Sequence, residues 1–198
     1  MKTSRETESE APTSLRNQLL VSMPQLTNPS FHRTVSLICQ HDANGAVGVI
    51  VNRLTDHRLG DIFDQLALPV SDLQNTDKPV FDGGPVSPEL GLVIHDACGD
   101  STRWDSSLEI GGGLWLTSSR DILSAIARGD GPDNAIMILG YAGWGPGQLE
   151  SEIRQNSWFH TPADHEIIFN TRIDQKWQQA AKLLGIDFAQ LSGEVGHA

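Results

Sequence analysis

The chain has 198 residues, a net charge of −11 at pH 7 and an isoelectric point near 4.9, with 38% apolar and 20% charged side chains. This length and apolar content support one buried core, so a single domain is the default. The fourteen Lys and Arg residues are scattered, with no basic run. A protein that grips nucleic acid by neutralising phosphates needs such a patch, so direct DNA or RNA binding is not expected, although folding can still gather Arg16, Arg33, Arg53 and Arg58 on one face.

Residues 1–14, "MKTSRETESEAPTS", are polar and acidic, the composition of a tail that buries too little surface to order itself; the domain is expected over residues 15–198. The tail has no apolar signal region, and the longest apolar run, "GAVGVIV" at 45–51, is far too short to span a bilayer. A soluble cytoplasmic protein without membrane contact is the expectation. Cys39 and Cys98 form no Cys-x-x-Cys pair and read as small buried hydrophobes.

From Leu15 onward, apolar stretches alternate with Gly, Pro, Asn and Asp, and predict strands at 19–22, 34–40, 46–52, 80–81, 90–95, 114–117, 135–141 and 166–169. Leu59, Ile62, Phe63 and Leu66 fall at helical spacing and predict a short amphipathic helix stopped near Pro69. Ser118 and Asp121 open a second helix that Gly129 ends. A third begins near Gln148. In the last, Ile173, Trp177, Ala180, Ala181 and Leu184 make one stripe, with Thr171 as N-cap and Gly185 as the stop. Helices interrupt the strands irregularly, which favours a mixed sheet with helices around it over a repeated β-α-β unit.

Most catalytic signatures are missing: no Gly-x-Ser-x-Gly elbow, no phosphate loop with Gly-Lys-Ser/Thr, no His-Glu-x-x-His helix and no Cys/His zinc spacing. No metal or cofactor is expected. His32, His41, His57, His95, His160, His165 and His197 read as surface or capping histidines. His160 and His165 lie five apart, a spacing that suits neither a helix nor a strand chelate. An acid-base site would need His41, with Asp42, to approach His95.

Three glycine-rich turns remain: "FDGGPVSPEL" at 81–90, "EIGGGLWLT" at 109–117 and "GYAGWGPGQL" at 140–149. Glycine supplies positive φ and close backbone approach, so these turns can either form a concave anion site or be structural. Glu150 and Glu152 in the first turn of the third helix would repel a phosphate. Trp158 is expected in the core beside Trp177, whereas Tyr141 and Trp144, amid glycines, are expected to be at least half exposed to a cleft.

Taken together, "LLVSMPQLTNPSFHRTVSLICQHDANGAVGVIVNR" at 19–53, "VFDGGPVSPELGLVIH" at 80–95, "LTSSRDILSAIARGDGP" at 116–132, "LGYAGWGPGQLESEIRQNSW" at 139–158 and the terminal "LGIDFAQLSGEVGHA" resemble the YqgE/AlgH family of bacterial proteins. The resemblance implies a single α+β domain whose mixed, bifurcated β-sheet forms a pseudo-barrel with flanking helices. It implies no catalytic residues. The family is commonly described as one of transcriptional regulators, yet this acidic chain shows no helix-turn-helix signature. The favoured expectation is therefore a regulatory or adaptor protein, not an enzyme. It would meet an unknown protein or small ligand through a patch near the glycine turns, with Asn52, Arg53, Gly83, Gly84, Pro85, Tyr141, Trp144, Gln148 and Glu150 as its candidates. The alternatives are a hydrolase of small molecules or phosphate esters with an unrecognised His/acid site, and a direct nucleic-acid binder.

Overall fold

The computed structural model describes residues 14–97 and 104–186. The acidic tail up to Thr13, Cys98, His197 and the terminal segment from residue 187 lie outside the described residues.

Ten strands form one sheet among the described residues. They are β1 (Gln18–Ser22), β2 (Val35–Asp42), β3 (Gly45–Ile50), β4 (Leu54–Arg58), β5 (Pro79–Asp82), β6 (Val86–Asp96), β7 (Ser107–Gly111), β8 (Leu114–Thr117), β9 (Ala135–Trp144) and β10 (Trp158–Pro162). The helices are α1 (Leu59–Gln65), α2 (Arg120–Arg128), α3 (Gln148–Arg154) and α4 (Ile173–Leu183). The main path runs β10-β1-β2-β3-β9-β6-β8-β7.

The sheet forks at β9. Met137, Ile138 and Leu139 pair in parallel with β5, whereas Ala142, Gly143 and Trp144 pair antiparallel with β3. β6 lies along the other edge of β9 from Ala135 to Tyr141, with a register shift between Val86 and Gly91. One arm of the fork is β3-β2-β1-β10 and the other is β5-β4. The sheet curls into a half-barrel with flanking helices. Its far ends meet where the Asn17 side chain, just before β1, lies under Gly111 and Gly112 at the end of β7.

Strand alternation sorts neighbours to opposite faces. Leu92 and Ile94, Phe81 and Ile138 join the core cluster under α4, which also holds Leu19, Leu37, Ile110 and Trp177. The intervening Val93, Val80 and Met137 face α1 and α2, against Phe63, Ile122 and Ile126. A third, smaller cluster around Trp144 and Trp158 sits under α3.

The expected strand at 166–169 is a π-helical turn, Glu166–Asn170. Its apolar run suits a strand locally, but the Asp164 carboxylate accepts the Ile167 N–H and its carbonyl accepts that of Ile168, which winds the chain instead. Two caps lie one residue later than expected. Ser119 rather than Ser118 precedes α2, and Arg172 rather than Thr171 precedes α4. Strands β4, β7 and β10 were not expected; each is an edge strand with a single partner.

Candidate functional site

The glycine turns are used inside the fold. Gly83 and Gly84 cross β9 at Gly140 with backbone against backbone: a Cβ on Gly83 would stand 2.3 Å from the Gly140 carbonyl oxygen, and one on Gly84 2.5 Å from that of Tyr141. Gly84 and Gly140 also hold φ of +140° and +72°. Their amides do not converge on a ligand. The Gly83 N–H donates to Leu139 and that of Gly84 to Asp82 Oδ1. Pro85 is exposed beyond them.

The 140–158 segment closes on a carboxylate. Glu152 Oε2 accepts the indole N–H of Trp144 at 3.0 Å and of Trp158 at 2.8 Å, while its Oε1 accepts from Gln148 Nε2 at 2.8 Å. Gln148 Oε1 in turn takes the Gly145 N–H. The two indoles meet edge to face, and Phe31 packs on both. Trp144 is 5% exposed, so the expectation that it opens onto a cleft is corrected: Glu152, eight residues on, draws both ring N–H groups inward. Tyr141 is only partly exposed and packs against the α4 core, not half open.

Glu150, on the same helix, accepts from His41 Nε2 at 3.0 Å. His41 Nδ1 accepts the Leu15 N–H, so Nε2 carries the ring proton. The Glu150 carboxyl is held below the ordinary carboxylate range, first by its own backbone N–H and also by this histidine. Asn52 and Arg53 brace the loop before β2. Asn52 Oδ1 accepts the Val35 N–H and its Nδ2 donates to Arg33, while the Arg53 guanidinium donates to the carbonyls of Ser30 and Pro29.

His41 and His95 do not converge. His41 is in register with Ala46 and so with Trp144 at one end of β9; His95 pairs with Ala135 at the other. Roughly 30 Å of strand lies between those ends. His95 is buried, donates from Nδ1 to the Asp96 carbonyl and accepts at Nε2 from Thr117, and burial pushes its pKa down. Among the described residues no group of His, Cys, Asp and Glu could hold a metal ion. No helix there is long and apolar enough to cross a membrane.

A space able to take a ligand lies elsewhere. A cavity of about 1000 Å³ opens between the first turns of α4 and the starts of β5 and β9. Phe81, Ile136, Met137 and Trp177 line its apolar part, and Arg33, Lys78, Asp133, Arg172, Asp174 and Lys176 its polar part. Of the nine residues expected to form a patch, Asn52 alone lines it.

Lys176 is the residue that sequence reasoning missed. It falls three after Ile173 and four before Ala180, on the apolar stripe of α4, and that placement was the available signal. Its Nζ donates to the carbonyls of Val51 at 3.0 Å and Ile168 at 2.6 Å and lies 5.1 Å from the Phe81 ring centre. Burial pushes this ammonium down to about 8. Trp177 anchors the same turn by donating from its indole to Ser22. The Arg33 guanidinium stands 5.4 Å over the Trp177 ring. Arg172, bonded to Asp174 at 3.2 and 3.0 Å, caps the helix at the rim.

A forked, curled sheet with flanking helices and a cavity under α4 defines a single-domain α+β protein of the half-barrel type. The chain belongs to the AlgH-like family, whose model matches residues 19–189. A UPF0301 protein of Xanthomonas campestris is 52% identical over 187 residues, covering 94% of this chain and 98% of that one. A Xanthomonas oryzae UPF0301 protein is 50% identical over the same share of each. The solution structure of the AlgH protein from Pseudomonas aeruginosa superposes with a TM-score of 0.75 at 35% identity, over 100% of both chains. A crystal structure from Corynebacterium diphtheriae, at 20% identity, shares the fold with a TM-score of 0.70 over 88% of this chain and 89% of that one.

Proposed function

We propose that this is a regulatory or adaptor protein that works by binding a small ligand, and that the cavity beneath α4 is where it binds. The cavity itself carries the reading. About 1000 Å³ with an apolar floor and a few placed polar groups is at the upper end of the usual range for small-molecule sites. The Gly83–Gly84 turn, Gly145 and the Trp144 cluster spend their donors on the protein's own acceptors, which moves the reading from those turns to the cavity. A net charge of −11 weighs against duplex DNA or RNA as the direct target.

The test is native mass spectrometry of the protein purified from its own host, beside an Ile136→Trp variant that fills the cavity. A small molecule retained by the first and lost from the second supports the reading. A molecule retained equally by both, or none in either, counts against it.

A further inference from the structure

We infer that the cavity selects an organic anion, a flat apolar body lying against Phe81 and Trp177 with a carboxylate or phosphate group held by Arg33 and Lys78. This rests on the cavity being the ligand site.

Several polar groups of the lining are already engaged. The Asn52 amide is spent on Val35 and Arg33, and that of Asn134 on Asp96. Lys176 donates to Val51 and Ile168, and Arg172 is paired with Asp174. The side chains of Arg33 and Lys78 are exposed at the mouth, and neither makes a hydrogen bond or ion pair among the described residues. Asp133 is the carboxylate left in the same condition. The lining thus holds Arg33, Lys78, Arg172 and Lys176 against Asp133 and Asp174. That is a local excess of two positive charges in a chain of net charge −11. The low-dielectric walls of a cleft strengthen such a field.

Arg33 is also built into place. It holds a left-handed backbone, φ +53°, which a side-chain-bearing residue adopts only at a cost, and Asn52 pins its carbonyl. The guanidinium carbon stands 5.4 Å from the Trp177 ring centre, and its N–H groups, unbonded among the described residues, are of the kind that pairs with two oxygens of a carboxylate or phosphate. Beneath it, the Lys176 ammonium has no carboxylate within ion-pair distance among the described residues, so a cationic ligand would meet positive charge on the floor as well.

The experiment is calorimetric titration of the full chain with a matched set of probes: 2-naphthoate, the neutral 2-naphthamide and the cationic 2-naphthylmethylammonium. The carboxylate is expected to bind about tenfold or more tightly than the amide, as loss of a charge-assisted hydrogen bond implies, and the ammonium most weakly. Arg33→Gln and Lys78→Gln should each bring the carboxylate towards the amide and leave the amide unchanged. Both lie at the exposed rim, so their melting temperatures serve as folding controls. Equal binding of carboxylate and amide, both lost in Ile136→Trp, overturns the anion preference while the cavity reading survives. Preference for the ammonium does the same and assigns the charge selection to Asp133. If no probe binds, the inference is wrong; a ligand retained from the host then keeps the cavity reading, and its absence ends both.

Discussion

Replacing Glu152 by alanine removes one acceptor from three donors. Two of these are the indole N–H groups of Trp144 and Trp158, on rings only 5% and 2% exposed, where water does not replace the lost carboxylate. A hydrogen bond to a charged acceptor contributes about 1.5–3 kcal/mol. Two such bonds, with their donors left buried, put the expected loss at about 3–5 kcal/mol, a large share of a domain's total stability. Glu152→Gln keeps the shape and one acceptor oxygen, but turns its amide N–H₂ towards Gln148 Nε2, another donor; the expected loss is about 1–2 kcal/mol. Urea unfolding of both variants reads these values. In a Trp158→Phe background, the cost of Glu152→Ala should shrink by about 1–2 kcal/mol, since one of the bonds is already gone. A loss under about 0.5 kcal/mol for Glu152→Ala, or strict additivity with Trp158→Phe, would refute the clamp.

Trp144→Ala and Trp158→Ala should each cost roughly 3–5 kcal/mol in the same assay and leave naphthoate affinity intact, whereas Trp177→Ala should weaken binding as well as stability. Gly84→Ala forces a side chain at φ +140° against the Tyr141 backbone and should cost at least about 2 kcal/mol in chemical denaturation. Lys176 titrates near 8 when folded and near 10.4 when unfolded, so between those values the unfolded chain holds more protons and stability rises with pH. The rise is about 3 kcal/mol at most, and a Lys176→Met variant should lack it in urea melts across that window. Binding to random duplex DNA at physiological salt should be weaker than the usual non-specific range of about 10⁻⁴ to 10⁻⁶ M, as a gel-shift titration would show.

Most of the fold was legible because its central strands are apolar and its helices periodic. Residues 114–117 form a strand with the expected ends, and the Ile122 and Ile126 face with Gly129 behind it marks α2. The misses have distinct causes. "LTDHR" in β4 is almost entirely exposed, so no alternation records its pairing with β5. "EIIF" has strand chemistry that Asp164, two residues upstream, overrides. The 140–158 motif was visible as a motif, but its aromatics were read as open because the partner of both indoles, Glu152, was read only as a charge near a helix end. The cavity was not legible. Arg33, the 78–81 segment and Lys176 are distant in sequence and share no motif, and only the packing of α4 against β5 and β9 brings them together.

The fork at β9 bears on how the chain leaves the ribosome. Until residues 135–144 are synthesised, β3 has only β2 beside it and β6 only β8, so each presents a bare hydrogen-bonding edge. Strands 2, 3 and 6 are rich in Val, Ile and Leu, the composition that pairs promiscuously with neighbouring chains when an edge is open. One late segment then covers both edges and, through β5, seats the second arm. A released fragment ending before residue 135 should therefore be far more dependent on chaperones than one extending past residue 165, which carries β9 and also β10 to cover β1.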